Sequence, residues 1–278
     1  MKDTLRITII GFIIFLMPIS GLAFDVSGRL ILMWQVQKNV SGDELKFMKQ
    51  KGVNLIQSFN ITRWYDNDIK EYFDKAFAYE IGVVVTIGRL LKGDVGPKEF
   101  NYARAASFIK KWKHHPAIFA WHMLDEPCNA KDKIPPSIQR EAYLFIKSLD
   151  PYRKILISWN GTSRRHYNCC FSEEAFDILD LHAYVRTLPG RRQINLIKEF
   201  LKNRKGDYPI IITLRSFNRP KHPKLPIDGL KRQYEFFFKR NKITNNIGFY
   251  GWSLKPNKGI KNDPDIMRQF KGLEMQTN

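Results

Sequence analysis

His115-Pro116-Ala117-Ile118-Phe119-Ala120-Trp121-His122-Met123-Leu124-Asp125-Glu126-Pro127 is an apolar run that ends in two adjacent carboxylates and a proline. The run has the length of a buried strand, and the proline ends that strand because it cannot donate to a sheet ladder. Parallel α/β barrels keep their chemistry at the C-terminal ends of strands. The pattern therefore predicts Asp125 and Glu126 as catalytic candidates. The alternative is a loop whose acid caps the next helix.

Strand-like and helix-like segments alternate about eight times along the chain, which is typical of a single-domain (β/α)8 TIM barrel. The strands are nearly continuous apolar runs, as expected when both faces are buried. A doubly wound open sheet is the alternative fold, but no GxGxxG or P-loop follows the first strand. Besides the opening stretch, the predicted strands are Arg29–Gln37, Val53–Asn60, Ile81–Ile87, Ile155–Asn160, Phe176–Tyr184, Tyr208–Thr213 and Ile247–Leu254.

The N-terminus has the pattern of a secretory signal peptide. Lys2 and Arg6 flank an apolar run from Ile7 to Ile19, and Ser20–Ala23 supplies the small residues of a cleavage site. We therefore expect a signal peptide over residues 1–23, a barrel over residues 24–278, and a secreted or periplasmic protein. An uncleaved anchor helix is the alternative, although the run is short for a membrane span. No later stretch is long enough to cross a membrane.

The chain is strongly basic, with a formal net charge of +19. Without residues 1–23 it keeps 44 basic and 26 acidic residues, a net charge of +18. Such a field attracts polyanions, including acidic glycans. The basic residues are scattered over predicted helices and no nucleic-acid module is present, so a nucleic-acid partner is not expected.

The chain has three cysteines, Cys128, Cys169 and Cys170. The oxidising compartment of an exported protein favours a disulfide between two of them. Cys128 follows the acidic strand end, and the other two lie in a loop on the same predicted face. A bridge from Cys128 to one of them would brace that face. No CxxC or HxxxH spacing accompanies them, so the sequence predicts neither a metal nor another cofactor.

Polar and aromatic residues stand at the ends of nearly all the predicted strands. Hydroxyl groups need directional donors and acceptors, and sugar rings stack on aromatic rings, so the set is typical of a carbohydrate site. Singly, each tryptophan is as readily explained by core packing. The predicted substrate-binding residues are Asn60, Arg89, Trp159, Asn160, His182, Tyr184, Arg215 and Trp252.

The motifs resemble those of the clan A retaining glycoside hydrolases. Asp125-Glu126-Pro127 is similar to the Asn-Glu-Pro that ends their fourth strand, so the resemblance implies that Glu126 is the general acid/base. His182-Ala183-Tyr184 resembles their His-x-Tyr motif, and Trp252 resembles their eighth-strand substrate tryptophan. Two departures stand out: Asp125 replaces the family's asparagine, and the seventh strand has Leu214 or Arg215 where the family has its nucleophilic glutamate.

Three functions remain open from the sequence. The first is a glycosidase in which Glu126 is an acid with a raised pKa, aided by burial and by the charge of Asp125. This includes a substrate-assisted variant that resembles the barrel hexosaminidases, in which Asp125 would orient an acetamido group. An inverting variant using a distant loop acid such as Asp228 is a further form of it. The second is an inactive barrel that binds glycans, anionic ones included, with Arg215 where an acid is expected. The third is a metal-dependent hydrolase using His122 and His182.

Overall fold

The computed structural model describes residues 24, 26, 28–92, 100–128, 133–160, 171–184, 191–218, 224–253 and 259–275. Its eight parallel strands form a closed barrel in sequence order, and β1 pairs with β8 to complete it. The structure therefore confirms the predicted (β/α)8 barrel. The strands are β1 (Ile31–Met33), β2 (Leu55–Ser58), β3 (Gly82–Thr86), β4 (Ile118–Asp125), β5 (Lys154–Asn160), β6 (Ile178–Ala183), β7 (Ile210–Arg215) and β8 (Asn246–Tyr250).

Helices lie between the strands and cover the outside of the barrel. They are α1 (Gly42–Gln50), α2 (Asp66–Ala78), α3 (Gly88–Lys92), α4 (Tyr102–Trp112), α5 (Pro136–Leu149), α6 (Arg191–Asn203), α7 (Gly229–Tyr234) and α8 (Pro264–Lys271). Local sequence explains their starts: Ser41 and Glu44 form a capping box at α1, and Pro136 stands in the first turn of α5. A π-helix, Glu235–Arg240, continues α7.

The inside of the barrel has an apolar lower layer and a polar upper layer. Side chains alternate between the two faces of each strand, so residues two apart point the same way. The lower layer includes Leu32, Leu55, Val84, Leu156 and Ile211, which are all buried. Two positions further along their strands, the upper layer follows: Trp34, Gln57, Thr86, His122, Ser158, Asp180 and Thr213, each at most 3% exposed. A buried polar layer of this kind needs internal hydrogen-bond partners, and it forms the floor of the barrel's mouth.

The structure tests the predicted disulfide in part, and the predicted signal peptide not at all. Cys128 is disulfide-bonded, as predicted, whereas both of its candidate partners, Cys169 and Cys170, lie outside the described residues. The predicted signal peptide, residues 1–23, also lies outside them and stays a prediction. Among the helices of the described ranges, none combines the length and the apolar character that a membrane crossing needs.

Candidate active site

A cavity of about 340 Å³ opens at the C-terminal ends of the strands. This is the end of the barrel at which chemistry is expected. Two of its described lining residues are acidic, and they are the pair singled out from the sequence. The described residues that line it are Gln35, Phe59, Asn60, Thr86, Gly88, Arg89, His122, Met123, Asp125, Glu126 and Tyr250.

Asp125 and Glu126 both reach this cavity because the end of β4 is irregular. The register between β4 and β5 shifts between His122 and Leu124. Glu126 then adopts a left-handed backbone with φ 45°, while its N–H donates to Ser158 O at 3.0 Å. Consecutive residues of a regular strand point to opposite faces, so two adjacent acids could not share one mouth without such a change. A non-glycine residue in this conformation is strained, and strain of this kind concentrates at functional sites.

The Glu126 carboxylate is held from inside the barrel. Its Oε1 lies 2.9 Å from His182 Nδ1, and the side chain keeps 22% of its surface exposed toward the mouth. On the other side of the imidazole, Nε2 lies 3.2 Å from Asp180 Oδ2. Asp180 is fully buried and His182 is 3% exposed. An imidazole therefore lies between two carboxylates, one buried and one facing the cavity.

Charge decides the protonation of His182. Burial by itself lowers the pKa of His182, but the negative charge of Asp180, followed by the hydrogen bond to Glu126, outweighs burial and raises that pKa to about 10. This direction favours the imidazolium form of the ring at neutral pH. An imidazolium beside a carboxylate favours the anionic form of that carboxylate. This influence opposes the raised pKa expected for Glu126 as an acid.

Arg89 and Asn60 form another wall of the cavity. Arg89 Nη1 donates to Asn60 Oδ1 at 3.1 Å. Partial burial, followed by the charge of Arg63, lowers the pKa of Arg89, and Asp125 acts in the opposite direction. The guanidinium nevertheless remains cationic at every physiological pH. The mouth thus offers a cation and an amide as well as two carboxylates.

Trp159 and Trp252, predicted as sugar platforms, are packing residues in this structure. Trp159 is 1% exposed and lies against Phe171, at a ring distance of 4.8 Å. It follows the inward-pointing Ser158, so strand alternation turns it outward. Trp252 is 2% exposed and donates through Nε1 to Glu44 Oε1 at 2.9 Å, outside the barrel.

The remaining predicted residues lie near the mouth without lining the cavity. Arg215 is 2% exposed, and its Nε donates to Phe217 O at 3.1 Å. Tyr184 stacks on His182 at 4.8 Å, with 17° between the planes, and burial raises its pKa well above the usual value. Asn160 is half-buried at the end of β5. Of these three side chains, Tyr184 contacts the site directly, through its ring contact with His182.

Tyr250 and Asp180 are among the residues of the site that sequence reasoning missed. Tyr250 lines the cavity, and its hydroxyl accepts from Gln35 Nε2 at 3.4 Å. The prediction extended β8 past Tyr250, but Gly251 has φ 105° and ends the alternation there. Asp180 was detectable, because it stands two positions before His182 and therefore shares its face of β6.

The two histidines proposed for a metal-dependent hydrolase have other partners. His122 Nδ1 lies 3.1 Å from Thr86 Oγ1, and its Nε2 lies 3.1 Å from Ser158 Oγ. His182 contacts two carboxylates. Within the part of the chain that the structure describes, no three His, Cys, Asp or Glu side chains are grouped as metal ligands.

Comparison with known proteins supports the fold. A scan against protein-family models and a search of curated proteins both find no match. Among solved structures, the barrel is similar to a GH2 β-galacturonidase from Eisenbergiella tayi bound to galacturonate, with a TM-score of 0.61 and 16% identity over 86% of this chain and 49% of that one. It is also similar to the catalytic domain of an endoglucanase from Thermobifida fusca, with a TM-score of 0.57 and 14% identity over 81% of this chain and 79% of that one.

A third similar structure is a β-glucuronidase from Ruminococcus gnavus in complex with D-glucuronic acid, with a TM-score of 0.55 and 13% identity over 81% of this chain and 43% of that one. This chain spans about half the length of the two uronidases. The predicted resemblance to clan A glycoside hydrolases is thus confirmed at the level of the fold. Because the sequence identities are only 13–16%, the structural similarity supports the fold alone. A function must be argued from the residues of the site.

Proposed function

We propose that this chain binds a carbohydrate at the mouth of its barrel and hydrolyses a glycosidic bond there, with Glu126 as the proton-transferring residue. One observation carries the proposal: Glu126 faces a cavity while His182 holds its carboxylate at 2.9 Å. Proton transfer requires a carboxylate fixed within hydrogen-bond reach of its target. The predicted signal peptide would place this activity outside the cytoplasm.

Substrate-assisted hydrolysis is the mechanism that best suits the acids present. A retaining double displacement needs a second carboxylate about 5 Å from the first, and β7 contains no acid. In the assisted route, the acetamido oxygen of the sugar attacks the anomeric carbon while Glu126 gives a proton to the leaving oxygen. Water then opens the cyclic intermediate and returns a proton to Glu126. Asp125, which also lines the cavity, would orient the acetamido group.

Glu126 needs a proton before the first of these steps. The hydrogen bond between His182 Nδ1 and Glu126 Oε1 contains the nearest one. If that proton moves to Glu126, the histidine becomes neutral and the carboxyl group can act as an acid. If it stays on His182, Glu126 is a base that accepts a proton from water or from a sugar hydroxyl. Both forms are consistent with a general acid/base.

An acetamido sugar that also carries a negative charge is the substrate variant favoured by charge. Arg89 lines the cavity, and the chain has an excess of basic residues. Guanidinium groups bind carboxylates in a two-pronged geometry. The similar β-galacturonidase and β-glucuronidase structures contain galacturonate and D-glucuronic acid, respectively.

A glycan-binding barrel without turnover is the second candidate. It is favoured by β7, where Leu214 and Arg215 occupy the expected place of the nucleophile. In that case the Glu126 carboxylate, held by His182, would accept hydrogen bonds from sugar hydroxyls without transferring a proton.

The test is a turnover and binding screen of the purified protein against aryl glycosides and polysaccharides, with acetamido, uronate and plain sugars in parallel. For an active substrate, we expect Glu126→Gln to lower kcat by about 10²- to 10⁴-fold, as for loss of an acid/base group, with little change in binding. Glu71→Gln is the matched control, because this exposed glutamate lies in the middle of α2 and does not line the cavity.

Each outcome separates the candidates. Loss of turnover in Glu126→Gln but not in Glu71→Gln supports hydrolysis through Glu126. Equal turnover in both variants removes Glu126 from the mechanism. Binding without turnover by the wild-type protein favours the second candidate.

A further inference from the structure

The polar layer inside the barrel forms a hydrogen-bond chain with a fixed direction. It begins at Gln57, whose Nε2 donates to Thr86 Oγ1. Since that hydroxyl oxygen is already an acceptor, its proton is available to His122 Nδ1, at 3.1 Å. A neutral His122 that accepts at Nδ1 carries its proton on Nε2, and this proton faces Ser158 Oγ at 3.1 Å. Ser158 Oγ then donates to Asp180 Oδ2 at 3.3 Å.

A second, shorter chain reaches Asp180 from the opposite side. Trp34 Nε1 can only donate, and its partner is Thr213 Oγ1 at 3.3 Å. The Thr213 hydroxyl therefore directs its own proton to Asp180 Oδ1, at 2.5 Å. Gly248 on β8 leaves room for this hydroxyl, because a Cβ there would come within 2.0 Å of it. Both oxygens of Asp180 are thus acceptors, which is the arrangement of an ionised carboxylate.

We infer that Asp180 is a buried anion that keeps His182 protonated, and that it thereby acts as a positioning residue for Glu126. A fully buried carboxylate needs a compensating charge, and His182 Nε2 at 3.2 Å supplies it. Once Nε2 faces an anion, the second ring proton lies on Nδ1 and points to Glu126. Side chains from six strands, β2 to β7, and from Trp34 just after β1 thus contribute to fixing one carboxylate at the mouth.

The groups that face His182 agree with this assignment. The pKa of His182 is raised first by Asp180 and only then by Glu126 and Asp125. The other titratable neighbours of His182 are tyrosine hydroxyl groups, which ordinarily carry no charge at neutral pH. The charged and titratable groups near the ring are Asp180 on β6, Tyr184 just after β6, Asp125 on β4, Glu126 just after β4, and Tyr250 on β8.

For function, the consequence rests on the proposed role of Glu126. A fixed imidazolium presents the Glu126 carboxylate in one orientation and stores a proton 2.9 Å from it. The protonation of His182 itself can be measured without any substrate. Failure of the proposed function and failure of this inference are therefore distinguishable.

The experiment is NMR of the full chain with ¹⁵N-labelled histidine at about pH 8, where an ordinary histidine is neutral. His182 is assigned from the signals lost in His182→Gln. We expect both of its ring nitrogens to carry protons, and His122 to be neutral with its proton on Nε2. In Asp180→Asn, His182 should lose one ring proton at this pH. In Glu126→Gln it should keep both, because Asp180 remains.

Three results would overturn the inference: a neutral His182 in the wild-type protein, a doubly protonated His182 in Asp180→Asn, or a neutral His182 in Glu126→Gln. The last of these would assign the effect to Glu126 instead of Asp180. Because the wild-type and Glu126→Gln spectra decide on their own, the inference stays testable if Asp180→Asn does not fold. In Asp180→Asn, the dependence of kcat on pH should shift with the loss of the ring proton of His182. Such a shift would show that Asp180 acts through His182, whereas a merely structural role would lower kcat equally at every pH.

Discussion

The ends of β4 and β7 occupy equivalent places in the barrel but are built in opposite ways. At β4, Glu126 is partly exposed, strained at φ 45° and directed at a cavity. At β7, Arg215 is 2% exposed, donates to Phe217 O and lies over the Phe217 ring at 5.5 Å. Gln233 from α7 clamps the backbone of Arg215 through both its N–H and its C=O.

The difference shows how this barrel departs from the glycoside hydrolases that it resembles. In that family the ends of both strands carry catalytic carboxylates. Here one strand end has the features of a functional residue, and the other is part of the packed structure. Substitutions at β7 should therefore lower stability, whereas substitutions at Glu126 should chiefly alter function.

The largest effect on stability is expected from breaking the clamp at β7. Gln233→Ala removes hydrogen bonds of 3.2 and 3.1 Å to Arg215 and one of 3.2 Å to Gly229 O, all buried. Since buried backbone groups would lose their partners, we expect the free energy of unfolding to fall by about 3 kcal/mol. Guanidinium unfolding of the full chain measures it.

Gln269 provides the matched control for this prediction. It also bonds two backbone groups, Leu230 N at 2.8 Å and Pro226 O at 3.3 Å, but from a half-exposed position. Water can replace these bonds, so Gln269→Ala should cost about 1 kcal/mol. If Gln233→Ala and Gln269→Ala lose the same free energy of unfolding, the buried hydrogen bonds of Gln233 at β7 stabilise the protein no more than exposed ones do.

Much of the fold was predictable because its signals are local. Continuous apolar strands and alternating helices define a barrel, and a local signal such as the proline at the start of α5 marks where a helix begins. Strand ends were less predictable, because pairing with the neighbours decides them. β1, predicted over Arg29–Gln37, is paired over Ile31–Met33.

The site was predictable where strand alternation holds and not where it breaks. Asn60, Arg89 and Glu126 line one cavity, as the rule of strand ends suggests. Trp252 does not, because the positive φ of Gly251 reverses the direction of the side chains after β8. That reversal depends on one backbone conformation, which no pattern of apolar residues reveals.

The second prediction uses pH to separate the two strand ends. The folded pKa of His182, about 10, is above the ordinary value near 6.5. The stability due to this group is therefore fully present below about pH 6.5 and is lost as the pH rises toward 10. Between about pH 7 and pH 9 we expect a loss on the order of 2 kcal/mol in the free energy of unfolding.

His182→Gln is the control for this measurement, because its unfolding free energy lacks that slope. Arg215 adds no slope of its own, since guanidinium stays charged throughout the range. If the stability of the wild-type protein falls with pH no more steeply than that of His182→Gln, His182 is not held as a cation. The two strand ends would then not differ in their electrostatics.

The smallest effect tests the strain at Glu126. Glycine adopts a positive φ without the steric conflict that a Cβ introduces, so Glu126→Gly should be more stable than Glu126→Ala by about 1 kcal/mol. Lys242, exposed and at φ 46°, provides the same pair of substitutions away from the cavity. Both sites should favour glycine in thermal or denaturant unfolding. If Lys242 favours glycine and Glu126 does not, the backbone at the end of β4 is relaxed in solution, and the delivery of two adjacent acids to one mouth must come from the register shift between His122 and Leu124 alone.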